Sequence, residues 1–162
     1  MLYSKTCEYA IRALSCLASE GKNVWMHAKD ISEKTGVPDA YICKIFQDLV
    51  RNGILKSRRG ALGGFAYRVD PSQISLRRIV EIIDDTSILD DCVMGLDECS
   101  DDNACPLHPI WKKSKEQMLK KLETNKLTLM TKKIRTRKFR TLRRSRLNTN
   151  LQLSGASGAP LT

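Results

Sequence analysis

With 162 residues, the chain has room for one domain with a real core and one appended element, but not for two full domains. No stretch reaches the roughly 18 uninterrupted apolar residues of a membrane span, and the first twenty or so residues lack the apolar run and small-residue cleavage site of a secretory signal. The expectation is a cytoplasmic protein with no membrane part. In that reducing compartment six cysteines point to metal binding, redox chemistry or burial rather than structural disulfides.

The formal charge of +10 is unevenly placed. Residues 124–162 carry ten Lys and Arg and no acid, so the preceding 123 residues balance at eighteen of each sign. The excess belongs to the C-terminal tail. Between Arg78 and Lys112 the bias reverses, with nine acidic residues from Glu81 to Asp102 and no Lys or Arg. Phosphate contacts from the body must come from outside that stretch.

Tyr3, Cys7, Ala10, Ile11, Leu14, Leu17 and Ala18 recur at helical spacing before Gly21, which predicts an amphipathic first helix. Val24 to Met26 reads as a short strand. A second short helix, Ala28 to Thr35, meets Gly36, and a third runs from Pro38 to Asn52 with Gly53 placed to end it. Two helices joined by a Gly-containing turn form a helix-turn-helix. On the third helix Ile42, Ile45, Phe46, Leu49 and Val50 share the core face. The other face carries Asp39, Ala40, Cys43, Lys44, Gln47 and Arg51, and with Tyr41 these are the candidate DNA contacts.

Ile54 to Arg58, the turn RRGALGG over Arg58 to Gly64, and Phe65 to Val69 predict a β-hairpin. Helix-turn-helix followed by hairpin is the winged-helix order. Arg58, Arg59 and Gly60 at the hairpin tip put cations on a narrow projection suited to a minor groove. Ser75 is placed to cap a fourth helix running to Ile83. A polar loop with Cys92, Cys99 and Cys105 follows. Pro109 then opens a longer fifth helix carried to Leu127 by Ile110, Trp111, Met118, Leu119 and Leu122. From Thr131 onward apolar periodicity is lost, and the basic, then Ser/Gly/Ala-rich tail reads as disordered.

The spacing C-x6-C-x5-C with His108 close behind suits a metal centre. Thiolates a few residues apart on a loop converge on iron–sulfur clusters, and three cysteines with a histidine equally satisfy tetrahedral zinc. Asp90, Asp91, Asp97, Glu98, Asp101 and Asp102 disfavour thiolates and keep this loop off phosphates, while EF-hand spacing for calcium is absent. Glu8, one helical turn before Arg12, reads by itself as half of a surface ion pair.

Together, the head over residues 1–83, the wing run R-G-x-x-G-G-F at Arg59 to Phe65 and the cysteine loop resemble the Rrf family of bacterial winged-helix regulators, over about Met1 to Leu129. That family includes regulators of iron–sulfur cluster biogenesis and nitric-oxide-sensitive repressors. The resemblance implies a mainly α fold with a small β-hairpin wing: a winged helix-turn-helix at 1–83, an acidic metal-binding loop at 84–108, a dimerisation helix at 109–130 and a basic tail at 131–162. It further implies a homodimer on double-stranded DNA at a palindromic operator, with a cluster on Cys92, Cys99 and Cys105. The fourth ligand would be His108 or Glu8 of the other subunit. The first gap between cysteines is one residue longer than in better-known members, which leaves [2Fe-2S] and [4Fe-4S] both open, with zinc as the alternative. No small-molecule substrate or enzymatic activity is expected. A same-fold zinc or thiol-switch regulator and a nucleic-acid binder driven by the tail are the rival readings.

Overall fold

The computed structural model describes residues 3–84, 92–97 and 99–134. Six helices and one two-stranded sheet make up these residues. Helix α1 (Lys5–Glu20) starts where Ser4 accepts the Cys7 backbone N–H at 3.1 Å and stops at Gly21. Its buried residues, among them Cys7, Ala10, Ile11, Leu14 and Leu17, form the centre of the molecule. Helix α2 (Ala28–Thr35) ends on Gly36, whose φ of 72° is a left-handed conformation that glycine adopts without strain. Helix α3 (Asp39–Arg51) buries Ile42, Ile45, Phe46 and Leu49 against α1 and α2.

Strands β1 (Leu55–Arg58) and β2 (Gly64–Tyr67) pair antiparallel with Leu55 opposite Tyr67 and Arg58 opposite Gly64. The segment expected as a strand before α2 contributes a single bridge: Met26 and Phe65 exchange backbone hydrogen bonds at 3.0 and 2.8 Å. Phe65 meets Phe46 edge to face, with ring centroids 5.1 Å apart, and the buried Tyr67 hydroxyl donates to the Leu14 carbonyl at 2.7 Å. The hairpin is thereby fixed to both α3 and α1. Helix α4 (Leu76–Asp84) is capped by Ser75, whose hydroxyl oxygen accepts the Arg78 N–H at 3.2 Å.

Beyond the cysteine loop the structure departs from the single helix predicted over 109–130. Helix α5 (His108–Thr124) stops, and a separate α6 (Leu127–Ile134) follows. Asn125 turns extended, with ψ 120°, and its side-chain amide donates to the Lys121 carbonyl at 2.8 Å, satisfying the end of α5. The chain then pairs with the start of α4: Leu76 N–H donates to Asn125 O at 3.0 Å and Leu127 N–H to Ile74 O at 2.9 Å. This turn buries Leu127 completely and lays α6 on α1. Leu122 and Leu127 enter the same core because the chain breaks between them; an unbroken helix would turn residues at this separation to different sides. The expected tail boundary also moves, since residues 131–134 belong to α6. The remaining tail residues, 135–162, lie outside the described residues, as do Asp90, Asp91 and Glu98.

Because Leu127 is fully buried and Leu129 is 40% exposed, Leu127→Ala is expected to lower unfolding stability by about 2–5 kcal/mol, and Leu129→Ala by less than about 1 kcal/mol, in urea titrations.

Candidate nucleic-acid interface and metal centre

The polar face of α3 and the wing border one cleft of roughly 730 Å³, lined by Cys43, Gln47, Arg58, Arg59 and Gly60 together with His27, Lys29 and Phe65. Tyr41, Lys44, Gln47 and Arg51 are exposed along α3, and Cys43 is half-buried. Two of the predicted contacts are engaged within the helix: Asp39 accepts the Ala40 N–H at 2.8 Å, and Arg51 pairs with Asp48. Tyr41 meets Tyr9 edge-on at 5.9 Å, which steadies a ring that is 53% exposed.

The wing is shaped by close backbone approach. A Cβ at Gly63 would fall 2.2 Å from the Arg58 carbonyl oxygen, and one at Gly64 would fall 2.2 Å from that of Met26. The paired glycines therefore let the hairpin fold back on itself and cross the segment before α2. Two supporting residues were not singled out from the sequence. Trp25 lies beneath the Arg58 guanidinium at 4.6 Å and the Lys56 ammonium at 5.4 Å, and His27 Nε2 donates to the Ala61 carbonyl at 2.9 Å. A lone Trp and His before a cationic hairpin are weak signals until the fold brings them together.

The second region lies between α4 and α5. The start of α1 is tied to the end of α4: Ser4 N–H donates to Asp84 Oδ2 at 2.6 Å, and the Ser4 hydroxyl donates to Oδ1. A carboxylate at a helix N-terminus is favoured by the exposed N–H groups there. Cys92 carries hydrogen bonds from the Leu96 and Met94 backbones, which hold its thiol below the ordinary range, with smaller contributions from Cys99 and Cys105. Burial pushes Cys99 up, and Cys92 adds to the shift. Cys99 Sγ stands 3.3 Å from His108 Nδ1, and His108 Nε2 donates to Asp101 Oδ1 at 2.9 Å. Lys112, 2.6 Å from the other Asp101 oxygen, is the larger of the two influences that hold this carboxyl below its usual range; His108 is the other.

These donors form a chain, with Cys105 and Cys99 both meeting Cys92, Cys99 meeting His108, and His108 meeting Asp101. Among the described residues, no three or more His, Cys, Asp or Glu side chains are already gathered around a common point that could hold a metal ion. The chemistry of the set nevertheless fits a thiophilic metal group. The backbone N–H groups favour a thiolate at Cys92, and Asp101 fixes His108 so that Nδ1 faces Cys99, as carboxylates orient ligating imidazoles. Asp101 was read from the sequence only as one acid in an acidic loop, because its bond to a histidine seven residues later depends on the loop's path. Glu8 sits between Lys5 at 2.5 Å and Arg12 at 2.8 Å, and Arg12 is 4% exposed. Cys7 is buried, its thiol pushed up to about 12 by burial and then by Asp84.

A helix-turn-helix, a cationic wing packed on its third helix and a cysteine loop beside the head define a winged-helix DNA-binding regulator. Residues 3–133 match the Rrf2 family, described as an iron-dependent transcriptional regulator, and the chain belongs to that family. It is 29% identical over 110 residues to the HTH-type transcriptional regulator IscR of Yersinia pseudotuberculosis, a match covering 68% of this chain and 66% of that protein. The chain thus spans about two thirds of that relative's length. The fold is similar to the global cysteine regulator CymR of B. subtilis (TM-score 0.68, 18% identity, covering 80% of this chain and 95% of that one). It is also similar to T. potens IscR (TM-score 0.62, 23% identity, 80% and 85% covered). The family is one of transcriptional regulators, not enzymes. Among the described residues no helix is long and apolar enough to cross a membrane.

The opposed shifts at Cys92 and Cys99 predict an order of reactivity. As pH falls below the ordinary thiol range Cys99 protonates first and Cys92 keeps thiolate character, so limited iodoacetamide treatment of reduced, metal-free protein near neutral pH should label Cys92 ahead of Cys99 in peptide mass maps.

Proposed function

We propose that the protein is a cytoplasmic homodimeric transcription regulator that reads a palindromic operator with α3 and the wing, and that senses iron–sulfur status, nitric oxide or redox state through its cysteine loop. The observation that carries the sensing half is the chain Cys99–His108–Asp101, in which an imidazole is held by a carboxylate and presents its other nitrogen to a thiol. On this reading Cys92, Cys99 and Cys105 hold an iron–sulfur cluster and His108 is the fourth ligand. The engagement of Glu8 by Lys5 and Arg12 makes it the less suited donor. The cluster, when bound, supplies a redox- and nitric-oxide-reactive centre.

The residues of the chain then carry the response. Asp84 ties the end of α4 to the start of α1, and the loop leads directly into His108, the first residue of α5. A rearrangement of the loop has mechanical purchase on the head at one end and on α5 at the other. Ile110, Met118 and Leu129 are 69%, 45% and 40% exposed, and this uncovered apolar surface supports a second copy packing along α5 and α6.

Protein purified without oxygen should contain iron and sulfide and show cluster absorption. Cys99→Ala and His108→Ala should lose it while Glu8→Ala retains it. Cluster loss should change affinity for wild-type-selected DNA by about 5- to 150-fold. Iron-free protein whose DNA affinity ignores Cys99→Ala under every redox condition would defeat the sensing half. Stoichiometric zinc would replace it with a structural site. If truncation after Ile134, which spares α6, abolished DNA binding, the tail-driven alternative would take its place.

For the interface, Arg59→Ala should weaken binding about equally across sequences and reduce the salt dependence of log K by about one phosphate contact.

A further inference from the structure

Among the described residues Leu62 is the most exposed large apolar side chain, at 84%, and it stands at the wing tip. A single exposed leucine on a mobile loop would mean little. Here the turn beneath it is tied at several points. The Arg58 guanidinium donates to the carbonyl of Leu62 itself, Gly63 N–H donates to Gly60 O at 2.9 Å, and His27, from the start of α2, donates to Ala61 O at 2.9 Å. Gly63 has no space for a side chain. Arg58 is also held against Trp25, which makes it a strut for the tip as much as a contact.

The tip therefore presents a positioned apolar side chain flanked by the exposed cations Arg58 and Arg59 and, farther down β1, Lys56. A protein partner would need a pocket that is both apolar and acidic. The minor groove supplies the matching pair of properties, a strongly negative wall and an apolar interior between base steps. Apolar side chains inserted there part the stacked bases, most easily at pyrimidine–purine steps.

We propose that Leu62 is an apolar wedge that enters the minor groove of the DNA site beside Arg59 and selects for a deformable base step at that position. The inference rests on the reading of the wing as a DNA element and adds a selectivity that hydrogen bonding from α3 does not provide. It assigns the two wing residues different work: Arg59 contributes attraction without regard to sequence, and Leu62 contributes discrimination without charge.

The test uses the full chain and duplexes enriched by wild-type protein from a randomised pool. The base step facing the wing is located by footprinting, varied through pyrimidine–purine and purine–pyrimidine combinations, and marked with 2-aminopurine. Wild-type protein should prefer the pyrimidine–purine duplexes by about 10-fold and raise the 2-aminopurine fluorescence as the step opens. Leu62→Ala should lose both effects with an unchanged salt slope, and Leu62→Met should retain most of them. Arg59→Ala should do the converse, lowering affinity for every duplex and flattening the salt slope while keeping the step preference. The side chain is 84% exposed, so circular dichroism and melting of the leucine variants should match wild type. Equal step preference and equal fluorescence in wild type and Leu62→Ala would overturn the wedge while leaving DNA binding intact. Failure of wild-type protein to enrich any duplex would remove the DNA reading itself and the wedge with it.

Discussion

Strand β2 is the constraint on which the DNA-reading surface depends. Its alternate residues Phe65 and Tyr67 point into the head, one against Phe46 of α3 and the other onto the Leu14 carbonyl of α1. Phe65 also exchanges backbone bonds with Met26. A four-residue strand is thus bound to three neighbours, and a two-stranded hairpin that would be marginal alone becomes a fixed projection. The spacing between wing tip and α3, which decides whether both can meet one duplex, follows from those contacts. So does the position of the wing cations Arg58 and Arg59 along the cleft.

The same economy ties the cysteine loop to the head. Asp84 ends α4 on the N-terminus of α1, while His108 opens α5 with one ring nitrogen facing Cys99 and the other bound to Asp101. The loop is therefore gripped at its start by the hydrogen bonds from Ser4 to Asp84 and at its end by a polar relay. Carboxylates that looked from composition like a repulsive background for thiolates have particular roles: Asp101 orients an imidazole and is itself held by Lys112. Thiolate character at Cys92 comes from local backbone N–H groups rather than from a nearby cation.

At the C-terminal end, apolar surface is divided between two uses. Leu122 and Leu127 close the core of their own chain, and Ile110 and Met118 remain outward on α5. One continuous helix would have carried Leu127 away from α1. The break at Asn125 returns it and leaves the first two turns and more of α5 as the exposed apolar part.

The head was legible in the sequence because its signals are local. The 3.6-residue spacing of Ile42, Ile45, Phe46 and Leu49, the glycines at 21, 36 and 53, and the serine before α4 each act within a few residues of themselves. The cysteine spacing and the wing motif likewise marked where chemistry and DNA contact should be sought. Tertiary structure decided what local signals do not encode. Apolar residues occur on both sides of Asn125 with no proline or glycine between them, and the pairing of Ile74 and Leu76 with the chain at 125–127 reveals the turn. Trp25 and His27 become wing supports, and Asp101 the partner of His108, through contacts made across loops whose course no spacing rule fixes. The sequence determined which elements form and which residue types are available to bind DNA and metal. The packing of β2, α6 and the loop decided which of them meet, because short polar contacts depend on a closed three-dimensional path.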